Sequence, residues 1–520
     1  MRGEAAVSGW YGTAEGDPGA GSAEEGAEFR RLQAKLPEMF RRIFPDPKAA
    51  RTVLVLPSLS LDQDVLANVA GAHHYEERML GMLMLLRLPR TRVVYVTSQP
   101  IPDATVDYYL HLLQGVPARH ARERLTLLAC FDSTPRPVTE KILARPRLLA
   151  RLREAIGDPD NAHMAAFVVS APERTLAVRL GIPIYGCDPA LRWLGSKSGG
   201  RQVLREADVA VPDGEGDLAD ASDIARALAE LRRRNPGLRR AVVKLNEGFS
   251  GEGNAVFRFD GAPRGPGLDR WIADRLPLVP FEAPSMDWEI YQAKVGEMGA
   301  IVEAFIEGDD KRSPSAQFRI EPTGAVVPIS THDQVLGGRG GQVFLGCRFP
   351  ADPAYRCAIQ AEGAKVAAAL AGRGALGRLG VDFVSVRQNG AWRHYAIEIN
   401  LRKGGTTHPF LMLQFLTDGT YDAETGIFRT PSGQARCYYA TDNLQAPHYR
   451  GLTPPDLVDI AVLNGLHYDG TAQEGVVFHL IGALSEFGKL GVVCVGSSAE
   501  RAEAFYRRTV EILDREQDGG

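Results

Sequence analysis

No stretch of this sequence is apolar for long enough to cross a bilayer: Met79–Leu88, the most apolar helical candidate, is too short and starts among charged residues. Cysteine is sparse and unpaired. Cys130, Cys187, Cys347, Cys357, Cys437 and Cys494 are scattered with no CxxC spacing, mostly in apolar surroundings, which excludes a disulfide framework and predicts buried free thiols in a reducing compartment. A basic excess is missing too, because 60 Lys and Arg stand against 64 Asp and Glu. The Arg-rich pieces Arg147–Arg153 and Arg232–Arg234 sit inside amphipathic helical patterns and read as solvated faces, so neither nucleic acid nor membrane is an expected partner. Gly3–Glu28 has no apolar centre of the kind a signal peptide needs; it reads as a disordered tail, and the cytoplasm is the expected location. Several catalytic signatures are absent as well. The first strand is followed by LPSLSLDQD rather than GxGxxG, Ser485 in ALSEFG is not a GxSxG serine, and Cys347 beside Arg348 has the apolar neighbours of a buried thiol.

What is present is the composition of an ordinary globular protein, 44% apolar and 24% charged over 520 residues, enough for roughly two to four domains. After a leading helix (Glu28–Ile43), strands alternate with helices. The expected strands are Arg51–Leu56, Arg92–Thr97, Leu125–Ala129, Ala165–Ser170 and Pro183–Tyr185, and the intervening helices include His74–Leu88, Val106–Leu113, Arg147–Ala155 and Glu173–Leu180. That rhythm predicts parallel crossovers and a doubly wound α/β domain. From Asp188 the rhythm changes to a helix Lys197–Glu206, a short strand Val209–Asp213, a helix Asp220–Arg234, and then a β-loop-β unit made of Arg240–Asn246 and Ala255–Phe259. Antiparallel strands dominate afterwards: Gly299–Ile306, Gln317–Ile320, Ala325–Pro328, Gly380–Val386 and Trp392–Asn400, then Gly475–Ile481 and Leu490–Val495 before a last helix, Ala499–Arg515. The expected division is 1–45 for the tail and leading helix, 46–187 for the α/β domain, 188–410 for an α+β module with a subdomain at about 205–306, and 411–520 for an extension packed on that module.

The chemistry centres on Tyr395–Phe410, YAIEINLRKGGTTHPF. In an extended chain Glu398 and Asn400 share one face and Ile397 and Ile399 the other. A carboxylate and an amide oxygen, followed closely by Arg402 and Lys403, suit a magnesium ion carrying phosphates. Asp382 in GVDFVSV is another acid on an apolar strand face; it reads either as a partner ligand for that ion or as an acid paired with Arg378 or local backbone. Lys244 sits on an apolar strand just before a loop holding Gly248, Ser250, Gly251 and Gly253. Glycines let backbone N–H groups approach phosphate oxygens, so this is either a phosphate flap or a plain hairpin with a snorkelling lysine. It is not a Walker loop, which needs the lysine after the glycines and a helix beyond. Glu303 and Asp310, taken singly, read as surface acids, and Lys197 as a helix-start lysine. Arg339, in the loop Gly337–Gly341, is a candidate for binding a carboxylate and equally a solvated loop arginine. His332, Asp333 and His408 are candidates for accepting a proton, and His73–His74 read as a helix cap or interdomain contact rather than a metal site.

In order along the chain, the helix-start lysine, VVKLNEGFSGEG, VEAFIEGDD, GVDF and IEINLR resemble the successive elements of the ATP-grasp superfamily of carboxylate–amine ligases, from about Asp188 to His408. HYEERMLGMLMLLRLPRTRVVYVTSQPI, STHDQVLGGRGGQVFLGCRFPAD, EINLRKGGTTHPF and GVVFHLIGALSEFGKLGV are similar to the peptide ligase of pheganomycin biosynthesis and its relatives, from about Arg51 to Val495. The resemblance implies a pre-ATP-grasp-like N-terminal domain, an ATP-grasp module of two subdomains and a C-terminal α+β extension. It implies ATP and Mg²⁺ as cofactors, with Lys197 and Lys244 on the α- and β-phosphates, Gly248–Gly253 (with Ser250 and Gly251) closing on the β- and γ-phosphates, and Glu303, Ala304, Phe305 and Ile306 framing adenine. Asp310 would take the ribose, Asp382, Glu398 and Asn400 the metal, and Arg402 the transferring phosphoryl group. The implied reaction joins a small-molecule carboxylate donor to an amino acid or peptide through an acyl phosphate, with a homodimer as an open possibility. A carboxylate–thiol ligase and a nucleotide-binding regulator on the same fold are the alternatives.

Overall fold

The computed structural model describes residues 19–60, 71–247, 253–281, 286–338, 341 and 343–516. Four strands, Arg51–Leu56 (β1), Thr91–Thr97 (β2), Leu125–Ala129 (β3) and Ala162–Ala166 (β4), form a parallel sheet in the order β3-β2-β1-β4. β1 is buried along its whole length because both of its faces are covered, which explains its unbroken apolar run. Val53 and Val55 pack with Leu83, Tyr95 and Tyr109 on one face, while Leu54 and Leu56 pack with Leu152 and Leu176 on the other. The tail expected over Gly3–Glu28 is helical from Ala23, with Ser22 as its N-cap; residues 1–18 of that stretch lie outside the described residues. Two other expectations shift. The fourth strand comes earlier than Ala165–Ser170, and Pro183–Tyr185 contributes a single bridge, Met164 to Ile184.

A second sheet, of Gly214–Leu218 (β5), Arg240–Leu245 (β6), Asn254–Arg258 (β7) and Ala300–Ala304 (β8), runs β5-β8-β6-β7 and is antiparallel. It has its own core, built with the helix Ala221–Arg234. Its first strand is not Val209–Asp213, because Pro212 has no N–H to enter a ladder. The strand begins instead at Gly214, where a Cβ would lie 2.1 Å from the Val302 carbonyl oxygen.

The third sheet is the largest. Lys311–Arg312 (β9), Pro314–Ile320 (β10), Val326–Gly337 (β11), Val343–Phe349 (β12), Gly377–Gln388 (β13) and Ala391–Asn400 (β14) lead, after a small hairpin of Thr420–Asp422 (β15) and Ile427–Arg429 (β16), to Cys437–Gln445 (β17), Gly475–His479 (β18) and Lys489–Gly496 (β19). Its order is β14-β13-β10-β11-β12-β17-β19-β18, with β9 beside β13. The 411–520 portion therefore does not merely pack on the module before it: β17 hydrogen-bonds to β12 and extends the same sheet. Several elements of this region, among them β12, β17 and the helix Thr407–Thr417, were not expected. Gly346 interrupts the apolar pattern of β12, and it is glycine because a Cβ there would sit 2.4 Å from the Ala440 carbonyl oxygen of β17. Among the described residues no helix is long and apolar enough to cross a membrane. The six cysteines are free; Cys357, expected to be buried, is exposed.

Candidate active site

The second and third sheets face one another across a cleft of about 490 Å³. One wall is the β13–β14 pair, in which Asp382 stands opposite Glu398 and Gly380 opposite Asn400. The register slips after Asp382, so that Ile397 is an extra residue on β14. The buried positions of β14 are consequently Ala396 and Ile399, three apart rather than two. That bulge turns Ile397 toward the cleft along with Glu398 and Asn400, against the strict alternation expected from sequence. Asn400 donates to Asp382 at 2.9 Å. Burial, followed by the nearby Glu398 charge, pushes the Asp382 carboxyl up to about 6, against the opposing pull of a Ser315 hydrogen bond and of the Lys197 and Arg402 charges. Burial pushes Glu398 the same way, but the charge and hydrogen bond of Lys197, together with Arg402 and Lys244, hold it below the usual glutamate range. An oxygen-rich pair of buried acids beside an amide matches the donor chemistry of a hard divalent ion such as Mg²⁺.

Lys197 opens the helix Lys197–Glu206 and donates to Glu398 at 2.5 Å. Two contacts fix that helix start. Ser196 caps it by accepting from Gly199 N–H at 3.0 Å, and Asn246, at the end of β6, accepts from Ser198 N–H at 2.9 Å. Asn246 was not singled out from the sequence, where an Asn after a strand looks like an ordinary turn residue. Lys244 reaches in from β6 and donates to Glu303 at 2.7 Å, while Arg201 donates to the other oxygen of Glu303 at 2.5 Å. Glu303 is 3% exposed. Its carboxylate is therefore a buried anchor for two cations, a different task from meeting an adenine edge. The N–H groups of Ala304 and Phe305 are engaged by the carbonyls of Asp213 and Arg240, at 2.7 and 3.1 Å. Ala304, Phe305 and Ile306 still line the cleft, with Lys311 and the Arg240 guanidinium packed on the Phe305 ring.

The structure does not bring every candidate to the cleft. Asp310 pairs with Arg312 at 3.2 Å, and is not among the cleft-lining residues. His332 is fully buried between the Phe349 and Tyr438 rings and shares a 2.6 Å hydrogen bond with the Tyr438 hydroxyl; burial, with Arg378 nearby, drives it down to about 3. Asp333 accepts from Tyr355 and from the Asp352 amide and also lies off the cleft. His408 stacks on His479 beneath the Gly404–Gly405 loop, where burial and then Arg78 push it down to about 3. None of these groups is placed to take a proton from a substrate. His73 and His74 meet Glu486 and Phe487 of the C-terminal portion, an interdomain contact, and their ring nitrogens and the Glu486 carboxylate lie within 4.8 Å of one another, a set that could also hold a metal ion. Gly248, Ser250, Gly251 and Arg339 lie outside the described residues, whereas Gly253 is buried just before β7.

At the other end the cleft is walled by residues that sequence reasoning passed over. Tyr75 and Arg78 come from the 3₁₀-wound helix Ala72–Arg87, Asp442, Asn443 and Gln445 from β17, and Lys489 from the start of β19, with Phe344 of β12 and the Gly404–Thr406 turn between them. Nothing local marks them, since they come from opposite ends of the chain.

The family described as "IQCH-like, ATP-grasp" matches residues 190–259 and 273–424, and that described as "PGM1 C-terminal domain" matches residues 456–509. The L-propargylglycine–L-glutamate ligase of Streptantibioticus cattleyicolor is 32% identical over 471 residues, covering 89% of this chain and 94% of that protein. IQ motif-containing protein H of Danio rerio is 22% identical across 90% of this chain, which spans 49% of that longer protein. Among solved structures, a biotin carboxylase from Campylobacter jejuni in an ATP complex aligns with a TM-score of 0.52 at 14% identity, over 91% of this chain and 96% of that one. The biotin carboxylase domain of a Hydrogenobacter thermophilus 2-oxoglutarate carboxylase, solved with MgADP and bicarbonate, aligns with a TM-score of 0.53 at 13% identity, over 90% of this chain and 95% of that one. At such identities the likeness is one of fold.

Proposed function

The chain belongs to the ATP-grasp carboxylate–amine ligases, and on that premise we propose that its cleft joins the carboxylate of an amino-acid donor to the amine of an amino acid or short peptide. It is an ATP-dependent, amide-forming enzyme acting on small molecules. The observation that carries the site reading is the convergence of Lys197, Lys244, Asp382, Glu398, Asn400 and Arg402 on one cleft between two sheets.

A carboxylate has no leaving group, so one of its oxygens first attacks the γ-phosphorus of ATP, releasing ADP and giving an acyl phosphate. The amine nitrogen then attacks the acyl carbon, inorganic phosphate leaves, and the amine gives up a proton. Stabilising charge as it spreads over the phosphoryl oxygens is the main demand, and it calls for positioned cations rather than a protein nucleophile. We assign Arg402 and Lys244 to that charge and Lys197 to the phosphates. Glu303 holds Lys244 in place, so the ammonium is oriented before substrate arrives. Asp382, Glu398 and Asn400 would hold magnesium, which supplies charge neutralisation of the phosphates. Phe305 and Ile306 would bound the base, and Gly253 with its preceding glycines would cover the phosphates. Among the described residues no histidine lines the cleft, so the amine proton would pass to phosphate or water.

The proposal includes the division 46–187, 188–410 and 411–520, with the separate core of β5–β8 supporting the subdomain at about 205–306, along with a homodimer, testable by light scattering, and a cytoplasmic location, testable by fractionation. The decisive experiment pairs carboxylate donors with amine acceptors, L-glutamate and small apolar amino acids first because the Streptantibioticus ligase is named for such a pair, and reads ADP release and product mass. ADP must depend on both partners, and Glu398→Gln must abolish it. Amide formation by that variant would remove the metal assignment, and tight ATP binding without turnover across the panel would favour a regulator.

A further inference from the structure

Lys489 is a buried lysine at the start of β19. It is 3% exposed, lines the cleft, and donates to the Tyr75 hydroxyl at 2.9 Å. Among the described residues no carboxylate pairs with it. The one acid at this end, Asp442, is taken by Arg78, whose guanidinium lies 3.9 Å from the centre of the same Tyr75 ring. With Asp442 committed to Arg78, the Lys489 ammonium has only the Tyr75 hydroxyl as a hydrogen-bond partner among the described residues. An ammonium withdrawn from water and given only a phenol is strongly unfavourable unless an anion completes the set. The phosphates are already provided with Lys197, Lys244 and Arg402. Arg402 is near enough for Arg78 to feel its charge, so the Tyr75–Arg78–Lys489 group lies near Arg402 in the same cleft. Phe344 and Leu336 supply apolar wall beside it, and Gly405 leaves floor space, since a Cβ there would lie 2.8 Å from the Phe344 ring.

We propose that Lys489, oriented by Tyr75 and flanked by Arg78, anchors the non-reacting carboxylate of an amino-acid substrate. The inference rests on the ligase reading for its choice of anion. It makes Lys489 a determinant of specificity for free acids over amides or esters, and it accounts for the involvement of the first and last thirds of the chain in the cleft. The carboxylate belongs either to the donor or to the acceptor, and amidating one substrate at a time tells them apart.

The test is calorimetry with L-glutamate, L-norvaline and their α-amides on the full-length protein at saturating Mg²⁺ and a non-hydrolysable ATP analogue. Wild type is expected to bind at least one free acid about tenfold or more tightly than its amide, as suits one desolvated charge pair. In Lys489→Met that preference is lost while affinity for the ATP analogue stays within about threefold, which reports an intact fold; Lys489→Arg restores part of it. In turnover, Lys489→Met raises KM for the acid with kcat little changed. A wild type with no acid-over-amide preference, a Lys489→Met variant that keeps it, or a variant that loses kcat at constant KM overturns the anchor, the last pointing to a proton-transfer role. If no pair releases ADP yet the preference exists and depends on Lys489, the ligase reading falls and the anchor stands.

Discussion

Glu303 is the residue on which two cations depend. With Arg201 and Lys244 both on its buried carboxylate, Glu303→Gln strands two charges, and such a loss is worth about 3–5 kcal/mol of stability. The expected result is a markedly lower Tm together with weakened ATP binding, read by calorimetry. Asp382→Asn should behave in the opposite sense. It removes a buried charge that burial and the facing Glu398 charge together disfavour, so turnover disappears while Tm in chelator-treated protein holds or rises. Lys489 adds a pH signature. Burial, with Arg78 nearby, pulls its ammonium down to about 8, whereas in the unfolded chain it titrates near the ordinary lysine value. Unfolding takes up a proton between those values, so this group favours the native state increasingly as pH rises from about 8 to about 10. Lys489→Met is therefore expected to melt higher than wild type at pH 7, with the gap closing by pH 10.

At the scale of elements, the active residues are held by strand and helix ends. The helix Lys197–Glu206 starts under Trp193, and a Cβ on Gly199 would sit 2.0 Å from the Trp193 carbonyl oxygen. Gly199→Ala must displace that turn, so it should raise KM for ATP about tenfold through Lys197, more than it changes kcat, with a Tm loss reflecting about 1–3 kcal/mol of overpacking. Much of this layer was legible in the sequence. The boundaries of the helices Lys197–Glu206 and Ala499–Arg515 follow from their patterns and caps, and β6, β13 and β14 follow from apolar runs ending in turn residues. The bulge at Ile397 was not legible, because an extra residue on one strand is defined only by the register of its partner. The same holds for β5, which lies five residues downstream of the expected Val209–Asp213, and for β12, whose place depends on β17.

At the scale of the molecule, the ends of the chain close on one another. Tyr109 of the first α/β layer shares a core with Phe410, Phe478 and Val493, so the C-terminal strands are part of the cleft's support. Removing residues 411–520 would bare the edge of β12, delete Asp442 and Lys489 and open that core, and the expected product is insoluble rather than a smaller ligase. This core also carries an acid limit. Burial holds His163 near 4, His332 and His408 near 3, and His479 well below its usual value. Unfolded histidines gain protons below about pH 6.5 that the native ones refuse, so stability falls as pH drops, by about 2 kcal/mol per histidine at pH 5. The urea midpoint should accordingly be lower at pH 5 than at pH 7.5.

The sequence by itself determined which acids, amide and cations sit near which strand and helix ends, and its resemblance to the ATP-grasp ligases implied their roles. The placements depend on local periodicity and spacing, which a chain carries wherever it folds. Only the tertiary structure decided what each group faces. It set His332 and His408 in the core, gave Glu303 to two cations, and brought Lys489 to Tyr75 across 414 residues of chain. Burial and charge partnership are properties of packing between distant segments, and no local pattern encodes them.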